Sequence, residues 1–268
     1  MRIKIHTSTW MSARLPFYYG WVMLPIAILA QAATSPGQTF GVSIFNPALR
    51  ESLQLSHAQL SGAYMFGTLL AAFPQPFIGA QMDRFGIRRI MTFAAIFLGL
   101  ACIFMSQVQS LWMLFLAFFT LRLFGQGAMS LLASNIPAMW FHQRLGQVSG
   151  LTNIGFSAST AILPPLILGL IGRYGWRWAY ALLGIAVWAI MLPILGPLFR
   201  NRPEEIGQTL DGLPAESSPA RTQTQSPEGS FDLKMAQRTH AYWIMLILTA
   251  LWSMIATAIF FNIVPLFT

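Results

Sequence analysis

The chain has 268 residues, 55% of them hydrophobic and only 9% charged, where a soluble domain carries about a quarter charged. Uncharged stretches run Leu15–Leu49, Ser52–Met82, Ile90–Leu121, Leu145–Gly172, Trp178–Phe199 and Thr239–Thr268, each at least as long as the roughly 20 residues that cross a bilayer; a soluble protein is excluded. The formal net charge of +8 would suit nucleic acid, but the charges are confined to gaps between apolar runs, which excludes that partner and leaves the lipid bilayer.

In chain order the pattern predicts helices at about 17–47 (α1), 58–82 (α2), 88–106 (α3), 110–141 (α4), 145–172 (α5), 176–200 (α6) and 239–266 (α7). The runs are too long for strands and lack the alternation of a membrane barrel. The fold class is therefore all-α integral membrane. The first residues, MRIKIHTSTWMSARLP, hold basic residues but no short apolar core with a small-residue cleavage site, so the first run reads as a retained helix. Cys102 is the only cysteine and reads as a small packing residue.

Loop charges set the orientation. With the amino terminus inside, Arg2, Lys4, Arg14, Arg84, Arg88, Arg89, Arg144, Arg200, Arg202, Arg221, Lys234 and Arg238 are cytoplasmic, twelve against the three outside, Arg50, Arg173 and Arg177. The expectation is a multi-pass protein of the cell (inner or plasma) membrane. FYYGW at Phe17–Trp21 suits an interfacial aromatic anchor on the inner side. Residues 201–238 hold four prolines and six of the eight acidic residues, too polar to bury a core. Three domains follow: a six-helix transmembrane bundle (1–200), a flexible cytoplasmic linker (201–238) and a seventh transmembrane helix (239–268) that opens a second bundle.

One short turn is spelled twice. In GAQMDRFGIRR, Gly79–Arg89, the residues Arg84, Phe85, Gly86 and Arg88 return as Arg173, Tyr174, Gly175 and Arg177 in GRYGWRW. AQLSGAYMFG at Ala58 is likewise echoed by GQVSGLTNIG at Gly146, with Gln, Ser and Gly at equal spacing. Helices two and five therefore correspond, and six helices form two triplets. Three is odd, so the second triplet crosses the membrane inverted, a 3+3 inverted repeat of the kind used by transporters.

GAQMDRFGIRR resembles the loop between helices two and three of the major facilitator superfamily; Gly79, Asp83, Arg84, Gly86, Arg88 and Arg89 match its signature, with Ile87 displacing the first basic position by one. YYGWVM at Tyr18, LRLFGQGAMSL at Leu121, GWRWAYALLG at Gly175 and RPEEIGQTLDG at Arg202 look like the monocarboxylate-porter and oxalate/formate-antiporter branch. The resemblance covers the first half of that fold, its amino-terminal bundle, plus helix seven. It implies that the six matched residues form a gating loop that latches the cytoplasmic side. It also implies a secondary active transporter, an antiporter or symporter, moving a small organic anion by alternating access. Animal monocarboxylate porters carry a lysine in helix one; Thr34–Phe45 has none.

The residues themselves point the same way. Asp83, among Arg84, Arg88 and Arg89, can pair with a guanidinium or sit at a helix amino terminus. Gly79 and Gly86 allow close approach and a tight turn. Arg122 is the one charge inside a helix core, costing on the order of 3 kcal/mol there, so it must face a partner or water. It reads either as the attractor of an anionic substrate or as a structural arginine bonded to polar groups of α1. Helix α1 offers Gln31, Gln38 and Thr39 around Pro36-Gly37, where freed backbone groups call for partners and a cavity-lining bend is expected. Gln126 and Asn153 join the expected substrate pathway, with interhelical hydrogen bonding as the alternative.

The four His are scattered, with no metal-ligand spacing, and neither a phosphate loop nor a nucleophile–base pair stands out. No catalytic residue, metal or cofactor is expected, and the chain is not read as an enzyme. Expected partners are the bilayer, a small organic anion, and a second bundle or self-association. The alternatives are a sugar or drug carrier of the same superfamily, or a non-transporting membrane module that pairs with another subunit.

Overall fold

The computed structural model describes residues 17–212 and 237–261. The chain divides into two compact units, Met1–Gly212 and Leu213–Thr268. Among the described residues every regular element is helical. Among the described residues, four helical stretches, Ile87–Ser106, Leu111–Trp140, Leu145–Leu195 and His240–Phe261, are long and apolar enough to cross a membrane. The charges of Arg2, Lys4, Arg14, Arg221 and Lys234 lie outside the described residues.

Helix α1 is not one rod. It runs Gly20–Ala33, tightens into a 3-10 turn at Ser35–Gly37, resumes at Thr39–Ser43 and is followed by Asn46–Leu53. The cause is local: Pro36 lacks a backbone donor, and hydroxyls compete for the carbonyls just before it. Thr34 Oγ1 donates to the Gln31 carbonyl at 2.7 Å and Ser35 Oγ to that of Ala32. The last piece ends at Gln54, which is left-handed at φ 53° and ψ 43°.

Helix α2, expected unbroken, is split into His57–Ala72 and Gln75–Phe85. Pro74 is the residue before the second piece and Pro76 sits in its first turn, so two of the three donors at 74–76 that would carry the ladder through are missing. Its start is fixed by a capping box: the Gln59 amide donates to Ser56 Oγ at 3.2 Å and the Ser56 amide to Gln59 Oε1 at 2.9 Å.

Helix α3 (Ile87–Ser106) lies within a residue of its expected bounds. Helix α4 starts at Leu111, capped by Ser110 Oγ, but residues Arg122–Met129 form a π-helical segment before the α-helix returns at Ser130–Trp140. The run Leu145–Leu195 holds both α5 and α6, because Gly175, at φ 78° and ψ 162°, is not helical and divides it. Gly86, between α2 and α3, takes nearly the same backbone, φ 84° and ψ 152°. That region belongs almost solely to glycine.

Helices α3 and α6 are antiparallel neighbours, and their contacts run in reverse order. Arg88 Nε donates to the Leu195 carbonyl at 2.9 Å and Nη2 to that of Gly196. Trp188 Nε1 donates to the Ile96 carbonyl at 3.1 Å. A Cβ on Gly184 would come within 2.8 Å of the Gly99 carbonyl oxygen, so the middle of the pair closes on glycines, as membrane helices do where backbones must approach. At the far end Arg177 Nη1 donates to the Ser106 and Val108 carbonyls at 3.0 and 2.9 Å. Each arginine near the start of one helix thus closes the orphan carbonyls at the end of the other.

Residues 201–212, expected as the start of the flexible linker, are instead tied to the bundle. Asn201 Oδ1 accepts from the Arg88 amide at 2.9 Å, Gln208 Oε1 from the Tyr19 amide at 2.9 Å, and Asp211 Oδ2 from the His142 and Gln143 amides at 2.9 and 2.8 Å. Polar composition there serves to bind backbone amides at helix starts and in the loop after Trp140, not to keep the chain free. The rest of that segment, 213–236, lies outside the described residues. In the second unit, His240–Phe261 forms α7, with Trp243 Nε1 donating to the Gln237 carbonyl at 2.9 Å.

Candidate functional site

Three irregularities meet at one place. The 3-10 turn of α1 packs on the π segment of α4; a Cβ on Gly37 would lie 2.8 Å from Gly125 Cα, so only glycine fits. The second piece of α2 begins opposite the same segment, where Gln75 Nε2 donates to the Ala71 carbonyl at 3.1 Å and reaches the Leu123 carbonyl at 3.5 Å. Gly127 clears the space that the Gln75 amide occupies.

Arg122 opens the π segment and is buried, with 5% of its surface exposed. Its Nη1 donates to the Gly37 carbonyl and to Thr39 Oγ1, both at 3.2 Å. Its Cζ lies 5.2 Å from the centroid of the Tyr64 ring. The Tyr64 hydroxyl donates to the same Thr39 Oγ1 at 2.9 Å. The guanidinium thus satisfies a carbonyl freed by the break in α1, and a cation–π contact offsets part of its desolvation. Its Nε, however, is buried without a hydrogen-bond partner among the described residues.

Of the expected pathway residues, Arg122 and Thr39 are joined by this network, while Gln38 Nε2 donates to Thr34 Oγ1 at 2.9 Å beside the turn. Gln31 is buried, and its Oε1 accepts from Ser130 Oγ at 3.4 Å. Gln126 is four residues on from Arg122 in the π segment, and its Oε1 is buried without a partner among the described residues. Asn153 is exposed on α5 and outside the lining of the cavity at Arg122. That cavity, about 430 Å³, lies between α2 and α4 and is lined by Thr68, Gln75, Arg122, Gln126, Ser130 and Ser134 among others. Sequence reasoning passed over Thr68, Gln75, Ser130 and Ser134. Gln75 stood beside two prolines and carried a signal; the hydroxyls in apolar helices carried none.

The basic turn differs from its expectation in two respects. Asp83 is in the last turn of Gln75–Phe85, not at a helix amino terminus, and it is exposed with neither hydrogen bond nor ion pair among the described residues. A Cβ on Gly79 would meet nothing within 4 Å, so no close approach inside this bundle requires that glycine. Arg84 lies over the Phe85 ring at 5.1 Å, and Arg89 is exposed. Gly86 and Arg88 do the turning and capping described above.

Comparison with known proteins gives a family and a range of relatives. The model of the Major Facilitator Superfamily matches residues 18–268. The chain is 26% identical over 174 residues to the oxalate:formate antiporter of Oxalobacter formigenes, covering 65% of this chain and 41% of that protein. It is 23% identical over 228 residues to the uncharacterized MFS-type transporter YhjX of Escherichia coli (strain K12), covering 85% of this chain and 53% of that one. It is 26% identical over 150 residues to the probable sulfoacetate transporter SauU of Cupriavidus necator, covering 53% and 33%. The chain spans half or less of the length of these relatives, to within a few per cent.

Proposed function

From the premise that the chain belongs to the major facilitator superfamily, a family of multi-pass membrane transporters, we propose that it serves in the secondary transport of a small organic anion by alternating access. The observation that carries this reading is Arg122: a buried guanidinium at the junction of α1, α2 and α4 that lines a cavity, its Nε without a hydrogen-bond partner among the described residues. An anion is the ligand that such a group attracts. The names of two relatives, an oxalate:formate antiporter and a probable sulfoacetate transporter, describe small organic anions too. Uptake of labelled oxalate, formate and lactate into proteoliposomes tests it. Saturable uptake of at least one, lost in Arg122→Gln with expression intact, is the expected result. Uptake that Arg122→Gln leaves unchanged, or uptake of a neutral sugar alone, would overturn the reading.

The six-helix unit is, in this proposal, a 3+3 inverted repeat whose amino terminus and Gly79–Arg89 turn face the cytoplasm. The shared backbone of Gly86 and Gly175 and the matching caps of Arg88 and Arg177 support it. Alternating access needs a second bundle around the cavity, and α7 is read as belonging to it. The gating role falls to Asp83, Arg84 and Arg89. An acid at a helix carboxyl end, where the dipole disfavours it, has reason to seek a partner outside this bundle. Gly79 leaves the surface beside it open.

A further inference from the structure

The segment 201–212 leaves the end of α6 and grips three other places in turn. Asn201 Oδ1 accepts from the Arg88 amide at the start of α3, and Glu205 steadies Asn201 by accepting from its amide and its Nδ2, both at 3.2 Å. The Gln208 side chain then brackets the start of α1. Its Oε1 accepts from the Tyr19 amide at 2.9 Å, and its Nε2 donates to the Phe17 carbonyl at 3.2 Å. Asp211 Oδ2 accepts from the His142 and Gln143 amides just after α4. Asp211 does so from a left-handed backbone, φ 59° and ψ 4°, a region that residues other than glycine seldom enter.

The two pieces held by Gln208 and Asp211 are also joined to each other. The Tyr18 hydroxyl donates to the Trp140 carbonyl, and the Tyr18 ring meets Phe141 edge-on at 5.5 Å. Tyr19 and Trp140 are 5.8 Å apart, and Trp21 meets Phe141 at 5.4 Å. At the opposite ends of the same pieces, Ser130 Oγ donates to Gln31 Oε1 at 3.4 Å. Those ends run into the 3-10 turn of α1 and the π segment of α4, irregularities of the kind at which helices hinge. Gly20–Ala33 and Ser130–Trp140 thus form a pair tied at both ends. Helices α3 and α6, bonded to each other along their length, run unbroken beside it. Apart from the segment 201–212, the pair reaches this frame through the Tyr19 hydroxyl, which donates to the Leu198 carbonyl at 2.6 Å. We propose that 201–212 is a clasp. Bound, it holds the pair against the α3–α6 frame; released, it lets both pieces swing together about the 3-10 turn and the π segment, opening the end of the bundle where α1 begins. Asn201 sits on the frame while Gln208 and Asp211 sit on the pair, so the segment spans the joint that such a swing parts. The inference needs neither the substrate reading nor a second bundle.

Distances between spin labels test this in the full chain, purified into lipid nanodiscs. One pair of labels, at Ala138→Cys and Ile190→Cys, spans the joint; a second, at Leu29→Cys and Ala138→Cys, lies within the swinging pair. All three positions are exposed, and the native thiol, Cys102, is buried. Ala138 is about 12 Å along its helix from Ser130, so a swing of about 15° displaces it by about 3 Å. When Gln208→Ala and Asp211→Ala are introduced together, a second Ala138–Ile190 distance, longer by about 3 Å, is expected, with Leu29–Ala138 unchanged. Asp211→Asn, which keeps an oxygen acceptor, should retain the original single distance. An unchanged Ala138–Ile190 distance in the double variant would overturn the proposal, since the clasp would then hold nothing. Changes in both distances would overturn it too, because the pair would have come apart instead of swinging. Circular dichroism shows whether the double variant is folded; if it is not, Gln208→Ala alone decides by the same outcomes.

Discussion

The two copies of the basic turn do the same work at opposite ends of the α3–α6 pair, yet only one carries anything more. At both, a glycine takes a backbone that other residues avoid, at φ 84° and 78°, and an arginine two positions later crosses to cap the partner helix. At Gly175 a Cβ would meet nothing within 4 Å, whereas at Gly86 the Asn201 side chain lies 3.0 Å from that point and binds the Arg88 amide. The Gly79–Arg89 turn also adds Asp83 and Arg89, which bond to nothing among the described residues. Glycine and capping arginine are thus the structural minimum, common to both. The acid, the extra cation and the docked segment 201–212 are additions on one face, where a gate is proposed.

Breaking the shared part should cost most. Arg177→Ala strands two carbonyls, of Ser106 and Val108; hydrogen bonds to a charged group are worth about 1.5–3 kcal/mol each. A loss of about 3 kcal/mol is expected in SDS-titrated unfolding from mild detergent. Arg88→Ala should cost less, because its bond to the Gly196 carbonyl is solvent-exposed and water can replace it. If the order is reversed, the caps are not the equivalent device described above.

Next come the glycines. Alanine at either position enters a strained region, at a cost of roughly 1–3 kcal/mol. Gly86→Ala should exceed Gly175→Ala, since only the former also presses on Asn201. Equal losses would mean that the 201–212 segment yields freely. Removing that segment's anchor by Asn201→Ala should cost about 1 kcal/mol, the worth of an ordinary hydrogen bond, and should lower protection of the Arg88 amide in hydrogen exchange. The smallest stability effect belongs to Asp83→Asn, close to zero because the carboxylate has no partner among the described residues. Its expected effect is on transport kinetics instead; unchanged kinetics would remove Asp83 from the gate.

Much of the helical frame was legible because arginines punctuate apolar runs: α3 and the start of α4 fall where charge and Ser110 place them. Pro36-Gly37 announced the break in α1. Pro74 announced the one in α2 just as plainly, but the apolar run hid it. The π segment Arg122–Met129 had no such sign, since its cause is tertiary: Gly37 and Gln75 press against Gly125 and Gly127 from two other helices. Of the site, Arg122 and Thr39 could be read from rarity and from a kink. Thr68 could not, because a lone hydroxyl among apolar residues matters only once the helix opposite is known. Residues 201–212 misled for a related reason: the amides that hold Asn201, Gln208 and Asp211 belong to helix starts and a loop far away in sequence.

The central claim, that one turn was copied onto opposite faces of the membrane, is tested most directly at its matched aromatic pair. Phe85 and Tyr174 are both exposed, at 44% and 57%, and the only native thiol, Cys102, is buried. Intact cells carrying Phe85→Cys or Tyr174→Cys are treated with a membrane-impermeant maleimide, then permeabilised and treated again. Tyr174→Cys should label at once and Phe85→Cys only after permeabilisation; labelling of both from the same side would contradict the account.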